Sequence, residues 1–278
     1  MFATALSTYL FTGPPPEQLT TRWLDRTQAA GFRHVELFAS RDVLPYRDRG
    51  LIKNLANWFR DSPLKPYGLH TPPEANIADP DRARRREACD EISRALEVLE
   101  LIPCEYVVQH FGARGDLFHG RRVDAAFASL DELSRFARER GAAALLVENG
   151  TSELAQPERI ARFIAETRLP LGVLFDTGHA HLAGKSGLEA AFETLRPYIR
   201  AAHVHDNNGR FDEHLAPLTA AGTIDWRLAM RLLRGHNEIK VLTASVRDTG
   251  EWPDPATAVH DSLARLLDLK TARNEEEE

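Results

Sequence analysis

Leu174-Phe-Asp176-Thr-Gly-His179-Ala-His181 is the stretch on which the fold of this chain turns. An apolar run, Leu171 to Phe175, ends on an aspartate, and a histidine follows three residues later beyond a glycine. A buried strand that releases a carboxylate and then an imidazole at its C-terminal edge suits metal binding or acid–base chemistry, since neither group enters an apolar interior without a partner. Alone the pattern is ambiguous, because an aspartate after a strand is also a common helix N-cap. It gains weight by recurring along the chain.

Short β-prone runs recur at Ala3–Thr8, His34–Phe38, Pro66–Thr71, Tyr106–Phe111, Ala143–Glu148, Leu171–Thr177, Ile199–Asp206 and Ile239–Ser245. Helical patterns lie between them. Ala88, Ile92, Ala95, Leu96, Leu99 and Ile102 share one apolar face, as do Val123, Phe127, Leu130, Leu133 and Ala137, and later Val259, Leu263, Leu266 and Leu267. Pro16-Glu17, Asp79-Pro80-Asp81 and Asp254-Pro255 read as helix starts, and Gly31 and Gly141 as helix stops. Eight strand–helix units without a long linker predict a single (β/α)8 TIM barrel over residues 1–271, followed by an acidic, frayed tail over 272–278. A doubly wound open sheet is the alternative. It calls for a glycine-rich phosphate turn after the first strand, and Thr8-Tyr-Leu-Phe-Thr-Gly-Pro-Pro-Pro is not one.

The 278 residues are 43% hydrophobic and 27% charged, enough apolar material for one sizeable core. A formal charge of −6 argues against a general attraction to nucleic acid or anionic membranes, though a local patch would escape that reasoning. Cys89 and Cys104 provide no disulfide framework and read as reduced thiols of a cytoplasmic protein. No signal peptide is expected from the first residues, and no apolar stretch is long enough to span a membrane.

The polar groups gather at one end of the strands. His70, His110 and Glu148 end the third, fourth and fifth runs; Asp176 and His179 follow the sixth; His203, His205 and Asp206 end the seventh. In a barrel these positions face one mouth, where barrel enzymes keep their chemistry. Imidazole nitrogens with carboxylate oxygens form a ligand set for Zn²⁺, Mn²⁺, Co²⁺ or Fe²⁺. Any one strand-end histidine is more often structural, but Glu148 at the end of an apolar strand must be paired or coordinated. Glu36 either hydrogen-bonds a substrate or caps a loop, and His181 reads as structural. Asp212 and His214, in a loop after His203, either clamp a metal with His179 or order that loop. Trp58, Trp226 and Trp252 read as packing, with Trp252 near enough to a strand end to touch a ligand.

Leu-His-Thr, Val-Gln-His, Leu-Val-Glu-Asn, Phe-Asp-Thr-Gly-His, His-Val-His-Asp and Asp-Glu-His…Ala-Gly-Thr-Ile-Asp-Trp, in that order, resemble the xylose-isomerase-like TIM-barrel superfamily, which includes sugar-phosphate isomerases/epimerases and endonuclease IV. Similarity to the ketose 3-epimerases implies one divalent ion held by Glu148, Asp176 and His203, with Glu148 also acting as acid/base and His179 contacting the substrate. Similarity to endonuclease IV implies three zinc ions: one on His70, His110 and Glu148, one on Glu148, Asp176 and His203, and one on His179, Asp212 and His214. Both branches imply a further glutamate near the end of the eighth strand. This chain has Ala244 and Ser245 there, with Asp248 or Glu251 as candidate replacements from the following loop.

The expected activity is therefore a metal-dependent isomerase or epimerase, with Glu148 and His179 catalytic and Glu36, His205, Arg247 and Trp252 meeting a small sugar-like substrate. The cofactor is a divalent ion (Zn²⁺, Mn²⁺, Co²⁺ or Mg²⁺), one ion on the first branch and up to three on the second. The alternatives are an endonuclease IV-like phosphodiesterase and a sugar-binding barrel that has lost catalysis. Nucleic acid is disfavoured because Arg41, Arg47, Arg49, Arg114, Arg121 and Arg122 are interleaved with Asp42, Asp48 and Asp116. Barrels of this kind often pair, which makes a homodimer an open expectation.

Overall fold

The computed structural model describes residues 2–183 and 187–270. Its strands are β1 (Ala3–Ser7), β2 (His34–Phe38), β3 (Lys65–His70), β4 (Tyr106–His110), β5 (Ala144–Glu148), β6 (Leu171–Asp176), β7 (Ile199–Val204) and β8 (Val241–Ala244). They run parallel in sequence order, and β8 pairs with β1 to close the barrel. The architecture is the single (β/α)8 barrel that the strand–helix alternation predicts. Around it lie α1 (Thr21–Ala29), α2 (Arg49–Asp61), α3 (Arg82–Leu96), α4 (Gly120–Glu139), α5 (Pro157–Thr167), α6 (Thr177–Leu182), α7 (Gly187–Leu195), α8 (Trp226–Arg234) and α9 (Pro255–Leu267). No helix among the described residues is long and apolar enough to cross a membrane. The expected tail, 272–278, lies outside the described residues.

Two apolar clusters explain where the mouth must be. The larger fills the layer between sheet and helices. A smaller one, Tyr106, Val108, Leu146, Leu174 and Ala201, packs inside the barrel. Side chains alternate between faces along a strand. Two residues beyond Val108, Leu146, Leu174 and Ala201 stand His110, Glu148, Asp176 and His203, so all four rise into the interior one layer nearer the C-terminal ends. The ladder keeps them side by side: His110 pairs with Glu148 and Asp176 with His203.

Several boundaries differ from expectation for local reasons. β1 stops at Ser7, whose side chain caps a 3-10 turn over Thr8–Thr12. β6 stops at Asp176, which N-caps α6 by accepting from the His179 amide at 2.7 Å. The helix expected from Pro16-Glu17 begins at Thr21. Phe127, expected on the buried face of α4, is 43% exposed, because that face runs through Ala126, Leu130, Leu133 and Ala137.

Candidate active site

Glu148 is the hub of the mouth. It is only 3% exposed, and its carboxylate is surrounded by imidazoles. Oε1 lies 3.0 Å from His203 Nδ1 and 3.7 Å from His179 Nδ1; Oε2 lies 3.1 Å from His110 Nε2 and 3.3 Å from His70 Nε2. Asp176, fully buried, stands alongside. Its Oδ1 is 2.9 Å from His205 Nε2, though out of line for a hydrogen bond, and its Oδ2 is 3.6 Å from His203 Nδ1. Among the described residues, Asp176 Oδ2 and His205 Nε2 are buried atoms with no hydrogen-bond partner.

Backbone carbonyls decide which ring nitrogens face inward. His70 Nδ1 donates to Thr71 O at 2.7 Å, His179 Nδ1 to Asn149 O at 3.0 Å, and His214 Nδ1 to Ser245 O at 2.6 Å. Each bond leaves Nε2 as the inward nitrogen, and each Nε2 meets a carboxylate: His70 meets Glu148, while His179 and His214 meet Asp212 at 3.3 and 3.4 Å. A neutral imidazole in that tautomer offers a lone pair to another lone pair. The contact is attractive only with a proton or a cation between them.

At His179 a proton fills that role. Burial acts to raise the Glu148 carboxyl, but His203 and the other imidazoles outweigh it and hold it well below the carboxylate range. Asp176, Glu36 and Asp212 are lowered in the same way, with burial opposed by His179, His203 and His179 respectively. Burial acts to lower His203 and His179, yet Glu36 lifts the first well above the imidazole range, and Asp176 lifts the second to about 10. His110 is lowered by burial, and His214 to about 3 by burial and by His205. Four carboxylates held low thus face two imidazoles held high, so acids outnumber the bases raised beside them.

The donor set therefore fits divalent metal. Three groups bring ligand atoms within 4.8 Å of one another: His70, His110 and Glu148; Glu148, Asp176 and His179; and His179, His205, Asp212 and His214. His203 belongs beside the second group through its contacts to Glu148 and Asp176.

Several expected roles change. Glu36 is not a substrate contact: it is fully buried beneath the mouth, accepting from Ser7 Oγ at 3.0 Å, Tyr106 OH at 3.1 Å and His203 Nε2 at 2.9 Å. His205 is also fully buried, its ring stacked on His214 at 3.8 Å between centroids, and it stands in the group with His179, Asp212 and His214 that could hold a metal. Trp252 packs against the outer core. Arg247 is exposed at the mouth, where its charge opposes the burial that raises the Tyr9 hydroxyl. The eighth-strand position in register with His203 is Thr243, whose hydroxyl lies 3.3 Å from Tyr106 OH. Neither candidate replacement for the missing glutamate reaches the cluster: Asp248 caps its own turn at the Gly250 amide, and Glu251 is exposed.

Sequence reasoning missed Tyr106 and Ser7 as supports of Glu36. Their signal was faint, the inward parity of β4 and β1. It noted Asp206 without giving it a role. That carboxylate accepts from the amides of Asn207, Thr223 and Ile224 and from Trp226 Nε1 at 2.6 Å, which ties down the loop bearing Asp212 and His214.

A family model described as a xylose isomerase-like TIM barrel matches residues 24–269. The chain belongs to the xylose isomerase-like TIM-barrel family. An uncharacterized protein of Methanocaldococcus jannaschii is 25% identical to this family member over 178 residues, 63% of this chain and 69% of that protein. Among solved structures, a D-tagatose 3-epimerase-like protein superposes with a TM-score of 0.79 at 23% identity, covering 100% of both chains. An L-ribulose 3-epimerase gives 0.78 at 17% identity, covering 100% of this chain and 97% of that one. The IOLI protein with a binding zinc atom gives 0.74 at 17% identity, covering 96% of each. At these identities the likeness to the solved structures is one of fold.

Proposed function

We propose that the protein is a divalent-metal-dependent isomerase or epimerase that moves a proton next to the carbonyl of a small sugar, polyol or sugar phosphate. The observation that carries this reading is Glu148: an ionised, buried carboxylate held by His70, His110 and His203 that also lines a cavity of about 190 Å³. That volume suits a small molecule, being below the roughly 300–1,000 Å³ of pockets for drug-sized ligands. The epimerases that share the fold support the same class.

Glu148, Asp176 and His203 would hold the ion, which when bound supplies Lewis acidity toward a carbonyl or hydroxyl pair. Glu148 Oε2 accepts the substrate proton. His110 Nε2, 3.1 Å from that oxygen and favoured in its neutral form by burial, holds the proton in turn and returns it through Glu148 to the substrate carbon, so that no proton is lost over the reaction. His179, another wall of the cavity, contacts the substrate. General acid–base catalysis contributes roughly 10²–10⁴-fold, so a centre without the eighth-strand carboxylate keeps catalytic scope. Cys89 and Cys104, both buried and unbridged, support a reducing, cytoplasmic setting.

The test is solvent-deuterium uptake into candidate ketoses with Zn²⁺, Mn²⁺ or Co²⁺ added. Glu148→Gln is expected to abolish the exchange, and undiminished exchange in that variant removes Glu148 as the base.

One observation favours the phosphodiesterase reading: the group of His179, His205, Asp212 and His214 exceeds what a single ion needs. Against it, Arg47, Arg49 and Arg122 are ion-paired to Glu91, Glu100 and Asp116, which weakens the cationic surface a duplex requires. Metal analysis near three equivalents together with nicking of an abasic-site duplex would reverse the preference.

A further inference from the structure

The cavity that Glu148 lines is electrically lopsided. Its walls include Glu148, His179 and Asp212 from the cluster and Arg114 from the loop after β4. Arg114 is exposed while Glu148 is buried, so the residue that lines the solvent end is basic and the one that lines the inner end is acidic. Among the described residues, Arg114 is the only Lys or Arg lining this cavity, and it makes no ion pair with any of them.

The backbone of the loop that carries Arg114 is ordered by its neighbours. Gly112 and Gly115 take left-handed conformations, with φ of 99° and 81°, and bracket Ala113-Arg114. Buried Asp116 closes the turn, its Oδ2 accepting from the Ala113 amide at 2.9 Å and from Asn76 Nδ2 at 3.1 Å. The obvious partner for Arg114 would be this same carboxylate, two residues away. Instead Asp116 Oδ1 pairs at 2.7 Å with Arg122, from the first turn of α4. With Asp116 neutralised by Arg122, the Arg114 charge stays available to the cavity.

We propose that this end of the cavity is an anion subsite. The substrate is then a sugar or polyol bearing a carboxylate or phosphate at the end remote from the carbon offered to Glu148. Guanidinium is suited to both groups through paired N–H donors. The inference rests on the proton-transfer reading of the site, since it assigns a direction to the substrate of that reaction.

The test compares D-fructose, D-fructose 6-phosphate and D-fructuronate by calorimetric titration of the metal-supplemented protein and of its Arg114→Ala and Arg114→Lys variants. At least one anionic sugar is expected to bind roughly tenfold to a hundredfold more tightly than D-fructose. That preference should vanish in Arg114→Ala and return in part in Arg114→Lys. Which anion is favoured separates a sugar acid from a sugar phosphate. No anionic preference, or one that survives in Arg114→Ala, overturns the subsite. Deuterium uptake into the same three compounds separates the two readings. Arg114-dependent anion binding without exchange in any of them sinks the proposed reaction and leaves the subsite. Exchange without anion preference sinks the subsite alone.

Discussion

Removing the Glu36 carboxylate is the sharpest probe of how the centre is held. Three buried donors, Ser7 Oγ, Tyr106 OH and His203 Nε2, terminate on it at 3.0, 3.1 and 2.9 Å. Glu36→Leu orphans all three, and each stranded buried polar group costs about 1–3 kcal/mol. Breaking a buried ion pair by removing one partner costs about 3–5 kcal/mol, and the expected loss lies in that range. Glu36→Gln behaves differently. Its amide oxygen can still accept from His203 and Tyr106, and its NH₂ can donate to Ser7 Oγ, so stability should fall by only about 1 kcal/mol. What Gln removes is the charge behind His203, and loss of such a support typically costs roughly 10–100-fold in metal affinity. Urea unfolding of the metal-stripped protein reads the first quantity, and Zn²⁺ competition against a chelator reads the second. If Glu36→Leu unfolds within about 1 kcal/mol of the parent and Glu36→Gln binds zinc unchanged, Glu36 does not support His203 as described.

Stability of the metal-stripped protein should depend on pH from two sides. His179 is raised from 6.5 to about 10, so its contribution is complete below pH 6.5 and is lost as pH climbs toward 10, a decline on the order of 3–5 kcal/mol. Glu36, lowered from 4.5, and Asp176, lowered from 3.8, contribute above those values and lose that contribution as pH falls through their folded ones. Thermal melts from pH 4 to 10 should therefore peak on the acid side of neutral; saturating Zn²⁺, which replaces the imidazole protons, should flatten the alkaline limb, and an alkaline limb that is flat without metal contradicts the charge balance described. Gly178→Ala places a methyl onto the His205 ring and should destabilise by roughly 1–3 kcal/mol while weakening metal binding, measured by melting and chelator competition. Asp206→Asn turns an acceptor into a donor facing Trp226 Nε1, and should cost about 2 kcal/mol and raise hydrogen exchange in the loop around Asp212 and His214.

Much of the molecule was legible in the linear chain. The spacing of apolar runs set eight strands and their order, and the acids and histidines at the strand ends foretold the rim at which they gather. Both follow from rules that act over a few residues: alternation along a strand, helical periodicity, and the reluctance of a charge to be buried alone. Closure of the barrel then decided the remainder. Glu36 looked like a substrate contact because nothing near it in sequence shows His203 standing over it, 167 residues away. His205 looked equally open until α6, with Gly178, packed against its ring and His214 stacked on that same ring. The inward nitrogens of His179 and His214 depend on the carbonyls of Asn149 and Ser245, which reach them from just beyond the ends of β5 and β8. Such choices are made by hydrogen bonds between distant segments, and those bonds exist only once the sheet has closed.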